Sequence, residues 1–193
     1  MNAIQTIQLT KNYKDLTAVK RLDLEIQKGD LFSLLGVNGA GKTTTIKMLT
    51  CLTKPSDGDA IILGNSITKD AAQVKKNHRR IAAGKLSGGW QRRLSIAMAL
   101  IGEPKILFLD EPTLGLDVIA RSELWDTIRS LKGKITIILT THYMEEAEEL
   151  SDRIGIMKAG RLLAIGTVEE LKEKAGTDKF EDAFVKIVKE EAK

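Results

Sequence analysis

Two kinds of hydrophobic spacing alternate along this chain. Near its start Ile7 and Leu9, then Leu22, Leu24 and Ile26, are interleaved with polar residues such as Asp23, Glu25 and Gln27. That period of two predicts half-buried antiparallel strands. Leu31 to Leu35, Ile106 to Leu109 and Ile135 to Leu139 are instead nearly unbroken apolar runs, the pattern of strands covered on both faces. Helical spacing follows the first two: Ile46, Met48, Leu49 and Leu52, then an amphipathic helix over 119–131 with Trp125 in its core face. Leu94, Ile96, Ala97, Ala99, Leu100 and Ile101 predict a further helix, ended by Pro104. Ala60 to Gly64 reads as a short strand after the turn Pro55 to Asp59, and Arg153–Met157 with Arg161–Ile165 as a hairpin around Gly160. Thr167-Val168-Glu169-Glu170 is a capping box opening a helical tail over 167–193, in which Phe180, Phe184 and Ile187 share a face. The fold class is therefore α/β, a mainly parallel sheet flanked by helices, with an N-terminal antiparallel β-subdomain in one domain spanning 1–193.

Composition narrows the function. The 193 residues are 42% hydrophobic and 29% charged, sufficient for one sizeable core. The net charge of +4 is spread over interspersed acids and bases, and aromatic residues make up 4%, so no nucleic-acid partner is expected. Cys51 is the single cysteine, which rules out an internal disulfide and reads as a small core residue. No apolar run approaches the roughly eighteen residues needed to cross a bilayer, so a cytoplasmic protein is expected, with any membrane role exercised through a partner chain.

The chemistry is concentrated after the first apolar run. Gly36-Val37-Asn38-Gly39-Ala40-Gly41-Lys42-Thr43-Thr44 has the spacing G-x4-G-K-T of a phosphate-binding loop, entered from a strand and left by a helix. Its glycines let successive amides point inward at phosphate oxygens, and the helix adds its positive end. Lys42 would reach the β- and γ-phosphates, and the Thr43 hydroxyl would coordinate Mg²⁺. Asp110 and Glu111 stand at the tip of the 106–109 strand, a costly place for two acids unless they hold a cation or meet donors. In phosphate-loop NTPases such a strand lies beside the loop, its aspartate on the metal and its neighbour on water. His142 arrives at another strand tip, after Thr140-Thr141, on the same expected edge.

Weaker signals surround this cluster. Ser87-Gly88-Gly89 before a helix is either an anion site or a flexible cap. Tyr13, in the polar stretch Lys11 to Asp15, would either lie against an adenine or cover the sheet edge. His78 among basic neighbours reads as a surface residue, and Glu145, Glu146, Glu148 and Glu149 as a solvated helix face.

The ordered set GVNGAGKTT, LSGG, ILFLDEP, GLD and the strand-end histidine resembles the ATP-binding subunit of ABC transporters, over nearly the whole chain. TIKMLTCLTKPSDGDAIILG and LTTHYMEEAEELSDRIGIM are most similar to the drug and antibiotic exporter branch. The resemblance implies a P-loop NTPase fold with a RecA-like core, and a Mg²⁺-dependent ATPase driving a separate membrane permease. It further implies a head-to-tail dimer in which ATP is sandwiched between one copy's phosphate loop and the other's Ser87-Gly88-Gly89. Tyr13 would stack on adenine, Gly36 to Thr44 would hold the phosphates, and Thr43 with Asp110 would hold Mg²⁺. Glu111 would act on water, His142 would meet the γ-phosphate, and Asp117 would lie in the loop crossing the dimer. The protein would sit at the inner face of the cell membrane through its permease.

Three departures from the family pattern stand out. Trp90 occupies the usual glutamine position of the signature, and Leu114 replaces a small or polar residue. Several dozen residues bearing a glutamine loop and a helical subdomain are missing, with the junction expected between Asn77 and His78. Two other readings remain: a module that binds ATP with impaired turnover, and a soluble ABC ATPase without a permease.

Overall fold

In the computed structural model, which describes residues 1–82 and 88–190, the chain folds around two sheets. The first is antiparallel, in the order β2-β1-β4-β5, built from β1 (Asn2–Tyr13), β2 (Leu16–Gln27), β4 (Asp57–Ile62) and β5 (Asn65–Ser66). Its inner face carries Ile4, Leu9, Leu22, Leu24 and Ile26, as the period of two requires. Ile7 departs from that pattern and is 48% exposed, because the register shifts between Thr6 and Leu9 and Gln8 takes a positive φ. The β1 strand also runs on through Tyr13, so Lys11 to Tyr13 belongs to the sheet and only Lys14-Asp15 turns.

The second sheet has the order β10-β9-β3-β8-β7-β6. It comprises β3 (Leu31–Leu35), β6 (His78–Ala82), β7 (Ile106–Asp110), β8 (Thr136–Thr141), β9 (Arg153–Lys158) and β10 (Arg161–Gly166). All neighbours are parallel except the closing hairpin β9-β10. The apolar runs predicted to be covered on both sides are, since every residue of β3, β7 and β8 is buried. One face packs on a core shared with the antiparallel sheet and α1 (Lys42–Leu49), through Phe32, Leu34, Ile106 and Phe108. The other face, with Leu107, Leu109 and Ile137, packs on α3 (Gly89–Leu100) and α4 (Val118–Arg129) through Ile96, Leu124, Trp125 and Ile128. Each such side chain contributes about 1.5–3 kcal/mol by leaving water.

Two short helices, α2 (Ala71–Lys76) and α5 (Met144–Leu150), complete the layers. The tail folds as α6 (Val168–Ala175) and α7 (Phe180–Glu190), which bury Leu171, Phe180, Phe184 and Ile187 against β9 and β10. The capping box forms as expected, with the Glu170 amide donating to Thr167 Oγ1 and the Thr167 amide to the Glu170 carboxylate. His78 is not a surface residue. The β6 strand carries it inward to 7% exposure, its ring edge-on to Phe108 at 5.3 Å and Nδ1 2.8 Å from the Val74 carbonyl.

Candidate nucleotide-binding site

The carboxyl ends of β3, β8 and β7 meet at one edge, where Leu35 is in register with Thr141 and Asp110 with Thr140. Gly36 to Gly41 arcs over that edge and enters α1 at Lys42. Gly41 caps the helix at φ 104°, and a Cβ there would sit 2.5 Å from the Ala18 carbonyl, so only glycine suits both the backbone and the neighbour. The first amides of α1 have no partner within the helix and open toward the arc.

Lys42 is 4% exposed, its ammonium donating to the Gly36 carbonyl at 2.6 Å and the Val37 carbonyl at 3.2 Å and lying 3.6 Å from Glu111 Oε1. Burial pushes its pKa down, opposed by the charges of Glu111 and Asp110. The Thr43 hydroxyl donates to Asp110 Oδ1 at 3.1 Å, and Thr140 donates to the same oxygen at 2.7 Å. Glu111 has a positive φ of 50°, an uncommon backbone for a non-glycine residue and one that clusters at functional sites. Its amide is held by the Thr140 carbonyl at 3.0 Å. His142 Nδ1 stands 3.5 Å from Glu111 Oε1, so this histidine does reach the phosphate-loop edge. The β7 strand does not lie directly beside the loop-bearing strand, because β8 intervenes. Asp110 still meets Thr43 because it points to the face on which α1 packs.

A cleft of about 590 Å³ continues from Asn38–Thr44 and Glu111 to a wall made by Tyr13, Leu16, Thr17, Ala18 and Lys20 of the antiparallel sheet, with Ala159. Tyr13 is 43% exposed on that wall, with the Lys11 ammonium 5.0 Å from its ring centre. Gly160 joins the two regions: its amide donates to the Ala40 carbonyl at 2.9 Å, and its carbonyl accepts from the Lys20 amide at 2.7 Å.

The remaining candidates lie elsewhere. Ser87 falls outside the described residues, while Gly88 precedes α3 and Gly89 begins it, where a Cβ would press on Ala120. Neither lines the cleft. Asp117 caps α4 by accepting from the Ala120 amide at 2.8 Å. Arg92 holds the intervening loop, donating to the Pro112 and Leu114 carbonyls.

Two charged residues were not foreseen in the sequence. Arg80 Nη2 lies 2.7 Å from Asp110 Oδ2. Glu146 has no exposure and accepts from Trp125 Nε1 at 3.2 Å, so it is no part of a solvated face. Burial pushes its carboxyl pKa up, opposed by the Trp125 hydrogen bond and the charge of Arg121.

Among the described residues no cluster of three or more His, Cys, Asp or Glu could hold a metal by itself. The Thr43 hydroxyl and Asp110 carboxylate are nonetheless hard oxygen donors, suited to Mg²⁺ that takes its other oxygens from phosphate and water.

The family model described as ABC transporter matches residues 19–83 and 67–114. ABC transporter A family member 2 of Arabidopsis thaliana is 44% identical over 211 positions, covering 83% of this chain and 22% of that protein. The chain thus spans about a fifth of such plant relatives. The daunorubicin resistance ATP-binding protein DrrA3 of Streptomyces coeruleorubidus is 36% identical over 221 positions, covering 89% of this chain and 70% of its own length. For the plant protein, 83% of 193 residues is about 160, so about fifty of the 211 aligned positions face no residue here. Among solved structures, a nucleotide-free ATP-binding cassette from an ABC transporter superposes with a TM-score of 0.82 at 20% identity, covering 95% of this chain and 99% of that one. A cassette dimer in a post-hydrolysis state with ADP and Pi gives 0.75 at 21% identity, covering 85% and 98%. Likeness at that identity establishes the fold.

Proposed function

This chain belongs to the ABC transporter family, and from that premise we propose that it binds and hydrolyses ATP to power a separate membrane permease. The observation that carries the reading is the convergence of the Lys42 ammonium, the Thr43 hydroxyl and the Asp110 and Glu111 carboxylates at the mouth of a cleft that ends on Tyr13. The loop amides and Lys42 grip the β- and γ-phosphates, moving the ammonium from the Gly36 and Val37 carbonyls to phosphate oxygen. Tyr13 receives the adenine. Thr43 and Asp110 would hold Mg²⁺, which would supply positive charge to neutralise the charge developing on the β- and γ-phosphates. Glu111 orients the attacking water and accepts its proton, and His142 donates to the γ-phosphate. With positioning and charge carrying the catalysis, no covalent intermediate on the protein is needed.

Ser87, Gly88 and Gly89 lie away from this chain's own cleft or outside the described residues, which fits a role on a second copy's nucleotide in a head-to-tail dimer. Among the described residues no helix is long and apolar enough to cross a membrane, so attachment to the inner face of the membrane would run through the permease. The drug-resistance relatives favour export as its direction.

We place the junction of the missing segment between Asn77 and His78, within the 67–83 overlap of the two matched stretches of the family. Asn77 and His78 sit in a closed turn, with the Lys105 amide on the Asn77 carbonyl at 3.1 Å, and β6 then continues in register along β7.

Equilibrium binding of a fluorescent ATP analogue tests the cradle: Lys42→Ala is expected to weaken it at least tenfold, and unchanged affinity would refute the reading. Phosphate release tests turnover, with Glu111→Gln expected to abolish it. Nucleotide binding with no release in either protein would favour a binding module, a reading for which the roughly fifty absent positions speak.

A further inference from the structure

Asp110 is held on both oxygens. Thr43 and Thr140 donate to Oδ1, and the Arg80 guanidinium lies 2.7 Å from Oδ2. The strand register explains the reach: β6 runs parallel to β7, with Ala82 opposite Asp110 and Arg80 opposite Phe108. Alternate strand residues share a face, so Arg80 and Ala82 stand on the same side as Phe108 and Asp110. Ala82 contributes only a methyl group, which leaves the longer side chain a path along the sheet to the carboxylate. Asp110 is 6% exposed and the Arg80 side chain 20%, so this charge-assisted bond is poorly screened.

The pairing also closes the local charge balance. Lys42 lies against Glu111 at 3.6 Å and Arg80 against Asp110 at 2.7 Å, two cations for two carboxylates. A doubly charged ion approaching Asp110 meets a guanidinium already on its second oxygen.

We propose that Arg80 is a resident counter-ion of Asp110 that stands in for part of the divalent charge, so that nucleotide binds here almost independently of Mg²⁺ and the metal itself binds weakly. The inference rests on the nucleotide-binding reading above. Arg80 is a positioning residue in this role, acting through Asp110.

Mn²⁺ binding, followed by electron paramagnetic resonance at saturating non-hydrolysable ATP analogue, reads the effect without turnover. Arg80→Gln is expected to tighten Mn²⁺ at least tenfold, while Arg80→Lys, which keeps the charge, stays within threefold of the parent. In an Asp110→Asn background Arg80→Gln should change Mn²⁺ affinity less than twofold, because no carboxylate remains to be released. Arg80→Met, which keeps the aliphatic stem, repeats the measurement if the glutamine variant does not fold. Unchanged Mn²⁺ affinity in the folded Gln or Met variant overturns the inference, as does equal tightening with and without the Asp110 carboxylate. Analogue affinity of the parent in EDTA should lie within threefold of its value in Mg²⁺. Binding only in Mg²⁺ sinks the Arg80 inference alone, whereas binding in neither condition sinks the nucleotide reading with it.

Discussion

Glu146 shows how a single side chain links titration to stability. Its carboxyl is buried with its pKa raised, so the folded state retains a proton that the unfolded chain releases first. The contribution is present below the ordinary carboxylate pKa and is lost as pH rises through the folded value. Glu146→Gln keeps the acceptor for Trp125 and cannot ionise. Thermal melts across pH should show the parent losing stability relative to this variant from acidic toward neutral pH; parallel curves would mean that the carboxyl does not titrate with folding. Nothing local to Glu145-Glu146 distinguishes the buried acid from its exposed neighbours, because Trp125, which bonds it, comes from another helix. Lys42, by contrast, was legible, since the loop dictates its surroundings within a few residues. Arg80 was not, because its meeting with Asp110 depends on the pairing of two distant strands.

Elements with strong periodicity or explicit end signals were recovered closely. The strands β3, β7 and β8 announced themselves as apolar runs, and the α6 start was written in Thr167 and Glu170. Thr167→Ala removes the acceptor for the Glu170 amide and should cost about 1 kcal/mol, roughly 2–4 °C in a chain of this size. Differential scanning calorimetry would read it, and no shift would mean that α6 is held by Leu171 and Ala175 alone. Where the reading missed, at Ile7 and the end of β1, the cause was a bulge: one extra residue inverts the faces, and alternation alone does not reveal it.

Across the whole molecule, α3 is buried on one side only. Trp90, Leu94, Met98 and Ile101 are 80%, 57%, 63% and 81% exposed, and Val118 and Ile119 at the start of α4 are 78% and 73% exposed. The buried residues of α3 are Arg92 and Ile96. A Met98→Lys, Ile101→Lys double substitution should change stability by less than about 0.5 kcal/mol per site, as at other exposed positions. It should also reduce binding of an apolar dye. A loss of several kcal/mol by urea denaturation would show that this face is covered in solution. The two-sheet architecture was legible from motif order, whereas this bare face was not.

Gly160 has a consequence for what the cleft can measure. Because one residue fastens both the aromatic wall and the anion loop, the span between them behaves as a fixed gauge. On the nucleotide reading proposed above, a ligand would need a planar ring and a polyanion at the matching separation to satisfy both ends together. On that reading, shorter or longer molecules would forfeit one grip, so the hairpin turn would set the ligand size without a moving part.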